Sequence, residues 1–82
     1  MQLTVKLFAT IKAKAGASQL VIELEQGRSS VKDLLAEISA RHPGLEASLK
    51  SVLLAVNSEY AFPEQVIQPN DEVALFPPVS GG

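Results

Sequence analysis

Pro77-Pro78-Val79-Ser80-Gly81-Gly82 is the segment of this chain whose residue types could do chemistry. Gly82 offers an α-carboxylate, and the two glycines place it on a thin stalk that carries no Cβ atoms. At an average glycine usage of about 7%, two glycines at the end of a chain arise by chance in roughly 0.5% of sequences. A loose Gly-rich end or an expression scar is the plainer explanation. The join to the preceding residues argues for a working tail. Glu72 to Phe76 reads as a strand, and Pro77-Pro78 stops a sheet ladder because neither residue has an N–H to donate. Two prolines also favour extended polyproline II, so the tail is expected to point away from the body. At about 3.3 Å per residue, six residues reach roughly 20 Å, far enough to enter another protein's active site. The expected organisation is a domain over 1–76 and an extended tail over 77–82.

The other candidates for chemistry are weaker. His42 is the single histidine and precedes Pro43 at a helix end, where capping or solvent contact explains it. Asp71-Glu72 and Glu23/Glu25 read as solvated charge at strand ends and edges rather than as acid/base pairs. Gly16, Gly27 and Gly44 stand singly where elements end, which is turn geometry and not a phosphate-binding loop. No residue pattern pairs a nucleophile with a base. The chain has no cysteine, which removes disulfides, zinc-thiolate sites, iron–sulfur ligation and thiol nucleophiles together. Any sulfur handled here must be attached to something other than a cysteine, and the chain by itself is expected to catalyse nothing.

These groups must be positioned by a small body. Eighty-two residues, 46% hydrophobic and 20% charged, suit one globular domain with one core. A net charge of −2 and a pI near 5.2 argue against nucleic acid, which selects basic surfaces. No apolar run approaches the roughly 20 residues that cross a bilayer. A cytoplasmic, non-membrane protein is the expectation.

Met1, Leu3, Val5 and Leu7 alternate with Gln2, Thr4, Lys6 and Phe8, the period of a half-buried strand. Ala9 to Ala15 is rich in helix formers and ends at Gly16. Leu20, Ile22 and Leu24 alternate with Val21, Glu23 and Glu25 in a second strand that Gln26-Gly27 closes. Ser29-Ser30 supplies N-cap candidates for a helix carrying Val31, Leu34, Leu35 and Ile38 at helical spacing. Asp33 in its first turn and Arg41 in its last suit the helix dipole, and Pro43-Gly44 ends it. Val52 to Val56 is an unbroken apolar run, which predicts a central strand covered on both faces. Asn57-Ser58 turns into a short edge segment, Tyr60 to Phe62, which Pro63 limits. Asn70-Asp71 leads into the last strand. The order is strand, strand, helix, strand, short strand, strand. It predicts an α+β fold: a mixed sheet with one main helix on one face, as in the ubiquitin-like β-grasp.

The alternation also predicts a second face. If Leu3, Val5 and Leu7 face the helix, Phe8 faces away. With Val73 and Leu75 as the core pair, Phe76 faces outwards too. Neighbouring first and last strands would bring Phe8 and Phe76 together at the root of the tail, with Tyr60 as a third member. Exposed aromatics beside a reactive terminus suggest a docking surface, whereas singly scattered apolar residues need no explanation.

Lys6-Leu7-Phe8-Ala9, Val31-Lys32-Asp33-Leu34-Leu35, Ala55-Val56-Asn57 and Asp71-Glu72-Val73-Ala74, followed by Phe76-Pro77-Pro78-Val79-Ser80-Gly81-Gly82, together resemble the small subunit of molybdopterin synthase, MoaD-type. The likeness runs the whole length, and the Phe-Pro-Pro-Val-Ser-Gly-Gly ending is its most specific part. Pro69-Asn70 departs from the glycine-containing turn more usual there; Asn tolerates the same positive φ. The resemblance implies that an E1-like adenylyltransferase adenylates Gly82 with ATP, that a sulfur donor displaces AMP, and that a thiocarboxylate results. The loaded tail would enter the large subunit of the synthase, in a heterotetramer, and give its sulfur to cyclic pyranopterin monophosphate. Gly81 and Gly82 would pass a narrow tunnel; Pro77, Pro78, Val79 and Ser80 would form the stalk; Phe8, Tyr60 and Phe76 would dock. It implies no bound cofactor and no metal. Three rivals share much of this: a thiamine-type sulfur carrier, which usually lacks the Phe-Pro-Pro stalk, a ubiquitin-like protein modifier, and a plain β-grasp binding module with an idle tail.

Overall fold

In the computed structural model, which describes residues 1–78, strand β1 (Gln2–Leu7) buries every second side chain and exposes the others. Leu3, Val5 and Leu7 are buried while Gln2, Thr4 and Lys6 face outwards, the alternation that a period of two imposes. The chain then turns sharply into helix α1 (Ala9–Ala15). Ala9 adopts φ 52°, in the left-handed region that costs a residue with a Cβ about 1–2 kcal/mol. Gly16 ends the helix at φ 71° and returns its N–H to Lys12 O, the left-handed cap that glycine adopts without penalty. Strand β2 (Gln19–Glu23) follows, antiparallel to β1. It is shorter than the alternation suggests, although Leu24 beyond it stays buried and its N–H bonds to Met1 O at 2.8 Å.

Helix α2 (Val31–Arg41) is the principal helix, and Val31, Leu34 and Ile38 are its buried stripe. Leu35, expected on the same stripe, is only half-buried, because it lies at the margin of the face that the other three define. Each of the first four helical N–H groups, which have no partner within a helix, finds one here. Ser30 Oγ accepts from Asp33 N–H, and the Asp33 carboxylate accepts in return from Ser30 N–H. Val31 and Lys32 donate to the carbonyls of Gln65 and Pro63, which completes the four, and Leu34 N–H begins the helix's own ladder at Ser30 O. Ser30 is thus the N-cap of a capping box, and the segment after the fourth strand is tied to the helix start. At the other end His42 is the C-cap, its N–H bonded to Ile38 O at 2.7 Å.

Residues 43–49, where the sequence shows no periodicity, hold a 3-10 turn (Pro43–Leu45) and the four-residue helix α3 (Glu46–Leu49). Leu45 reaches the core from there. A single helical turn is too short to display a period, so this element was not legible beforehand.

Strand β3 (Leu53–Val56) and the two-residue strand β4 (Glu59–Tyr60) form a hairpin with Val56 opposite Glu59. Its turn residues Asn57 and Ser58 both have positive φ, 52° and 71°. That is the handedness a two-residue hairpin loop requires. Strand β5 (Val73–Phe76) closes the sheet, parallel to β1 and antiparallel to β3. The strand order is β2-β1-β5-β3-β4. The central strand is therefore β5, and β3, expected at the centre, lies next to the edge. Within its apolar run Leu54, Ala55 and Val56 are all buried, and Ala55, a small residue, sits between Tyr60 and Ala74 in the cross-strand row. A methyl group flanked in this way is covered without a second layer. The core fills the helical side of the sheet: Leu3, Val5, Ile22, Leu34, Ile38 and Leu75 are each almost wholly buried, as is Ile67 in the loop before β5.

Asn70 does not have positive φ. The 68–71 turn is held instead by Asp71, whose carboxylate accepts from Gln68 N–H at 2.7 Å and from the Asn57 side chain at 2.8 Å. Asn57 Oδ1 in turn accepts from Glu72 N–H, so the hairpin turn and the entry to β5 are one knot.

Candidate functional site

The parallel pairing of β1 with β5 sets Leu7 opposite Leu75 on the core side. One residue on, the chain bends, and Phe8 N–H donates to Leu75 O at 3.2 Å. Phe8 and Phe76 therefore leave the sheet together on the open face. Their rings stack with centroids 4.7 Å apart and planes 9° from parallel, within the range where aromatic pairs attract beyond their buried area. Phe8 remains 40% exposed and Phe76 half-buried. Tyr60 belongs to the same face: it pairs with Ala55, which pairs with Ala74, which pairs with Lys6. That row of two small residues lies beside the stacked rings and forms, with Phe8, Phe76, Ser58 and Glu72, a hollow of about 200 Å³. Tyr60 itself is 71% exposed, and among the described residues the stack of Phe8 on Phe76 is the sole ring pair.

Two further exposed apolar residues were not singled out from the sequence: Val21, opposite Thr4 on the open side of β2, and Phe62, just beyond β4. The alternation of Tyr60 with Phe62 was the signal for the second.

Pro77 and Pro78 leave β5 and line a separate hollow of about 250 Å³ against α1 and α3, whose walls include Ile11, Lys14 and Ser48. Pro77 is half-buried and Pro78 exposed. The stalk, expected to point straight away from the body, begins by lying along it. The strand does stop at Phe76, as two residues without N–H groups require. Val79, Ser80, Gly81 and Gly82 lie outside the described residues.

The remaining candidates are structural. Asp33 is held below the usual carboxylate range by hydrogen bonds from the Ser30 side chain and backbone, with Arg28 adding to the effect. Asp71 is lowered by the Gln68 N–H and then by the Asn57 side chain. Asp33 anchors the start of α2 and Asp71 the 68–71 turn. Among the described residues no group of three or more His, Asp or Glu is placed to hold a metal ion, and no helix is long and apolar enough to cross a membrane.

The arrangement is an open, partly aromatic sheet face beside the point where Pro77 and Pro78 leave β5. The chain is similar to proteins of known identity. Molybdopterin synthase sulfur carrier subunit of Chlamydomonas reinhardtii is 40% identical over 84 residues, covering 100% of both chains. Small archaeal modifier protein 1 of Haloferax volcanii is 33% identical over 94% of this chain and 97% of its own. A crystal structure of that protein superposes with a TM-score of 0.86 at 31% identity, with both chains fully covered. A structure of the complex of subunits 1 and 2 of molybdopterin-converting factor from Helicobacter pylori matches with a TM-score of 0.71 at 26% identity over 100% of each chain. The fold is the ubiquitin-like β-grasp. The profile of the ThiS family matches residues 5–82, and on that match and these relatives the chain belongs to the ThiS family.

Proposed function

We propose that this chain is the sulfur-carrier subunit of a molybdopterin synthase and that the Gly82 α-carboxylate is its working group. A carboxylate is a poor electrophile. An E1-like adenylyltransferase would join it to the AMP moiety of ATP, with pyrophosphate leaving, and a sulfur donor would then displace AMP to leave a thiocarboxylate. The large subunit would receive the loaded tail, and the sulfur would pass to cyclic pyranopterin monophosphate; two such transfers build a dithiolene. ATP belongs to the activating enzyme, and this chain supplies no cofactor of its own. Gly81 and Gly82 suit a channel too narrow for a Cβ. Pro77, Pro78, Val79 and Ser80 form the stalk, and Phe8, Tyr60 and Phe76 the docking face, with 1–76 as the body and 77–82 as the tail. The cytoplasm is the compartment this chemistry calls for, and a heterotetramer with the large subunit the assembly.

The observation that carries the reading is the parallel stack of Phe8 on Phe76, exposed on the open face one residue before the proline stalk. The relatives named as molybdopterin synthase sulfur carrier subunits support it. So does the Helicobacter pylori complex, in which a chain of this fold is bound to its second subunit. The test is an intact mass after incubation with an E1-like enzyme, ATP and a sulfur source. Exchange of one oxygen for sulfur at Gly82 is expected; an unchanged mass refutes the assignment.

The likeness to a small archaeal modifier protein favours one second reading, in which the same adenylate is captured by lysines of other proteins. A ladder of conjugates on a blot, abolished by loss of Gly82, would establish that use.

A further inference from the structure

The ring of Phe8 is a wall between two hollows. One is the hollow floored by Ala55 and Ala74. The other is a cleft of about 410 Å³ between the end of β1, the start of α1 and the start of β2, lined by Lys6, Phe8, Lys12, Ser18 and Gln19. Lys6 borders both. The two arginines form ion pairs, Arg28 with Asp33 and Glu37, and Arg41 with Glu37. Among the described residues no lysine forms an ion pair, and no acidic residue lines the cleft. Glu72 is the nearby carboxylate, and it lies with Lys6 on the Phe76 side of the wall. Two ammonium groups thus flank the exposed Phe8 ring with no carboxylate lining the cleft itself, in a chain whose net charge is −2.

We propose that this cleft receives a carboxylate-bearing loop of the protein that docks on the Phe8–Phe76 face. The inference rests on the docking reading given above and adds the chemistry of the partner. The lysines would set approach and register while the rings hold the bound state. Charges at the margin of an interface act chiefly on the association rate and its salt dependence, whereas a buried aromatic anchor acts on dissociation. At physiological salt a charge is felt over about 8 Å, so Lys6 and Lys12 act on one loop and not on the partner as a whole. The overall negative charge disfavours nucleic acid as the occupant.

Two measurements test the proposal. In the first, the association and dissociation rates of the full chain with the synthase large subunit are followed at low and high salt. Lys6→Gln/Lys12→Gln is expected to slow association about tenfold at low salt and to flatten its salt dependence, with dissociation little changed. Lys32→Gln, outside the cleft, should change neither, and Phe8→Ala should speed dissociation. Unchanged association and salt slope in the double variant would overturn the proposal. Both lysines are exposed and without ion pairs, so a melting curve should show the variants folded.

The second measurement is independent of the partner. Titration with hexaglutamate is expected to shift the amide resonances of Lys6, Phe8, Lys12 and Gln19 in particular. Equal shifts at Lys32 and Lys50, or equal shifts from inorganic phosphate, would overturn it in favour of unspecific anion binding. If the wild-type chain fails to bind the large subunit, the docking reading falls, and the peptide titration alone decides the cleft.

Discussion

Phe8 and Leu7 are neighbours in the chain with opposite surroundings, one 40% exposed and the other 2%. Phe8→Lys places its ammonium in solvent in the isolated domain and meets desolvation only in a complex. It is expected to weaken capture by the large subunit and the activating enzyme while the melting curve stays near wild type. Leu7→Lys buries an unpaired charge against Leu75 and should unfold a domain whose total stability is about 5–15 kcal/mol. If the first variant unfolds and the second does not, the docking face is on the wrong side of the sheet. Ala9 next to them holds φ 52° with its side chain exposed. Glycine there relieves the left-handed strain at no loss of buried area, partly offset by greater freedom in the unfolded chain. Ala9→Gly is expected to raise stability by about 0.5–1 kcal/mol in chemical denaturation; a destabilised variant would mean that the turn carries no strain.

Among the elements, the start of α2 combines local bonds with long-range ones. Ser30→Ala removes the Oγ that accepts from Asp33 N–H and leaves that N–H without its partner, while the bond from the residue 30 backbone N–H to the Asp33 carboxylate remains available. A loss of about 1 kcal/mol is expected, read from the denaturation midpoint. A neutral result would show that the bonds from Val31 and Lys32 to the 63–65 segment hold the helix start unaided. The knot at Asp71 has a pH signature. Its carboxyl is lowered in the folded state by Gln68 N–H and the Asn57 side chain. A lowered acid contributes stability that is present above its unfolded pKa of about 3.9 and is lost as pH falls through the folded value. Asp33 has the same sign. Asp71→Asn is therefore expected to be less stable than wild type at neutral pH, with the gap in melting temperature closing in acid. A gap that stays constant down to strongly acidic pH would show that the charge of Asp71 contributes nothing.

For the whole molecule, the proposed function divides the work between a body over 1–76 and a tail over 77–82. The core lies on the helical side of the sheet, and among the described residues its last member is Leu75. Deleting Gly82, which has no side chain, removes no apolar side chain from the chain. It is expected to abolish adenylation and sulfur loading while the melting temperature changes by less than about 1 °C, the equivalent of a few tenths of a kcal/mol in a domain of this size. A clear fall in melting temperature, or retained adenylation by the activating enzyme, would contradict the division.

Much of this was determined by the sequence alone, because period and chemistry are local. The alternation through Leu3, Val5, Leu7 and through Val73, Leu75 assigns faces to two strands, and hence sends Phe8 and Phe76 outwards. Ser30 with Asp33 three residues on marks the helix start, and Asn57-Ser58 the hairpin. The Phe-Pro-Pro-Val-Ser-Gly-Gly ending carried the family resemblance. Tertiary structure decided what depends on partners distant in the chain. That β5 and not β3 is central follows from the parallel pairing of β1 with β5, which no local period encodes. The single-turn helix α3 and buried Ile67 are held by packing rather than by propensity. The cleft that joins Lys6 to Lys12 exists only because Ala9 turns the chain there. A period tells each residue which way it faces; only the closed sheet tells it what it faces.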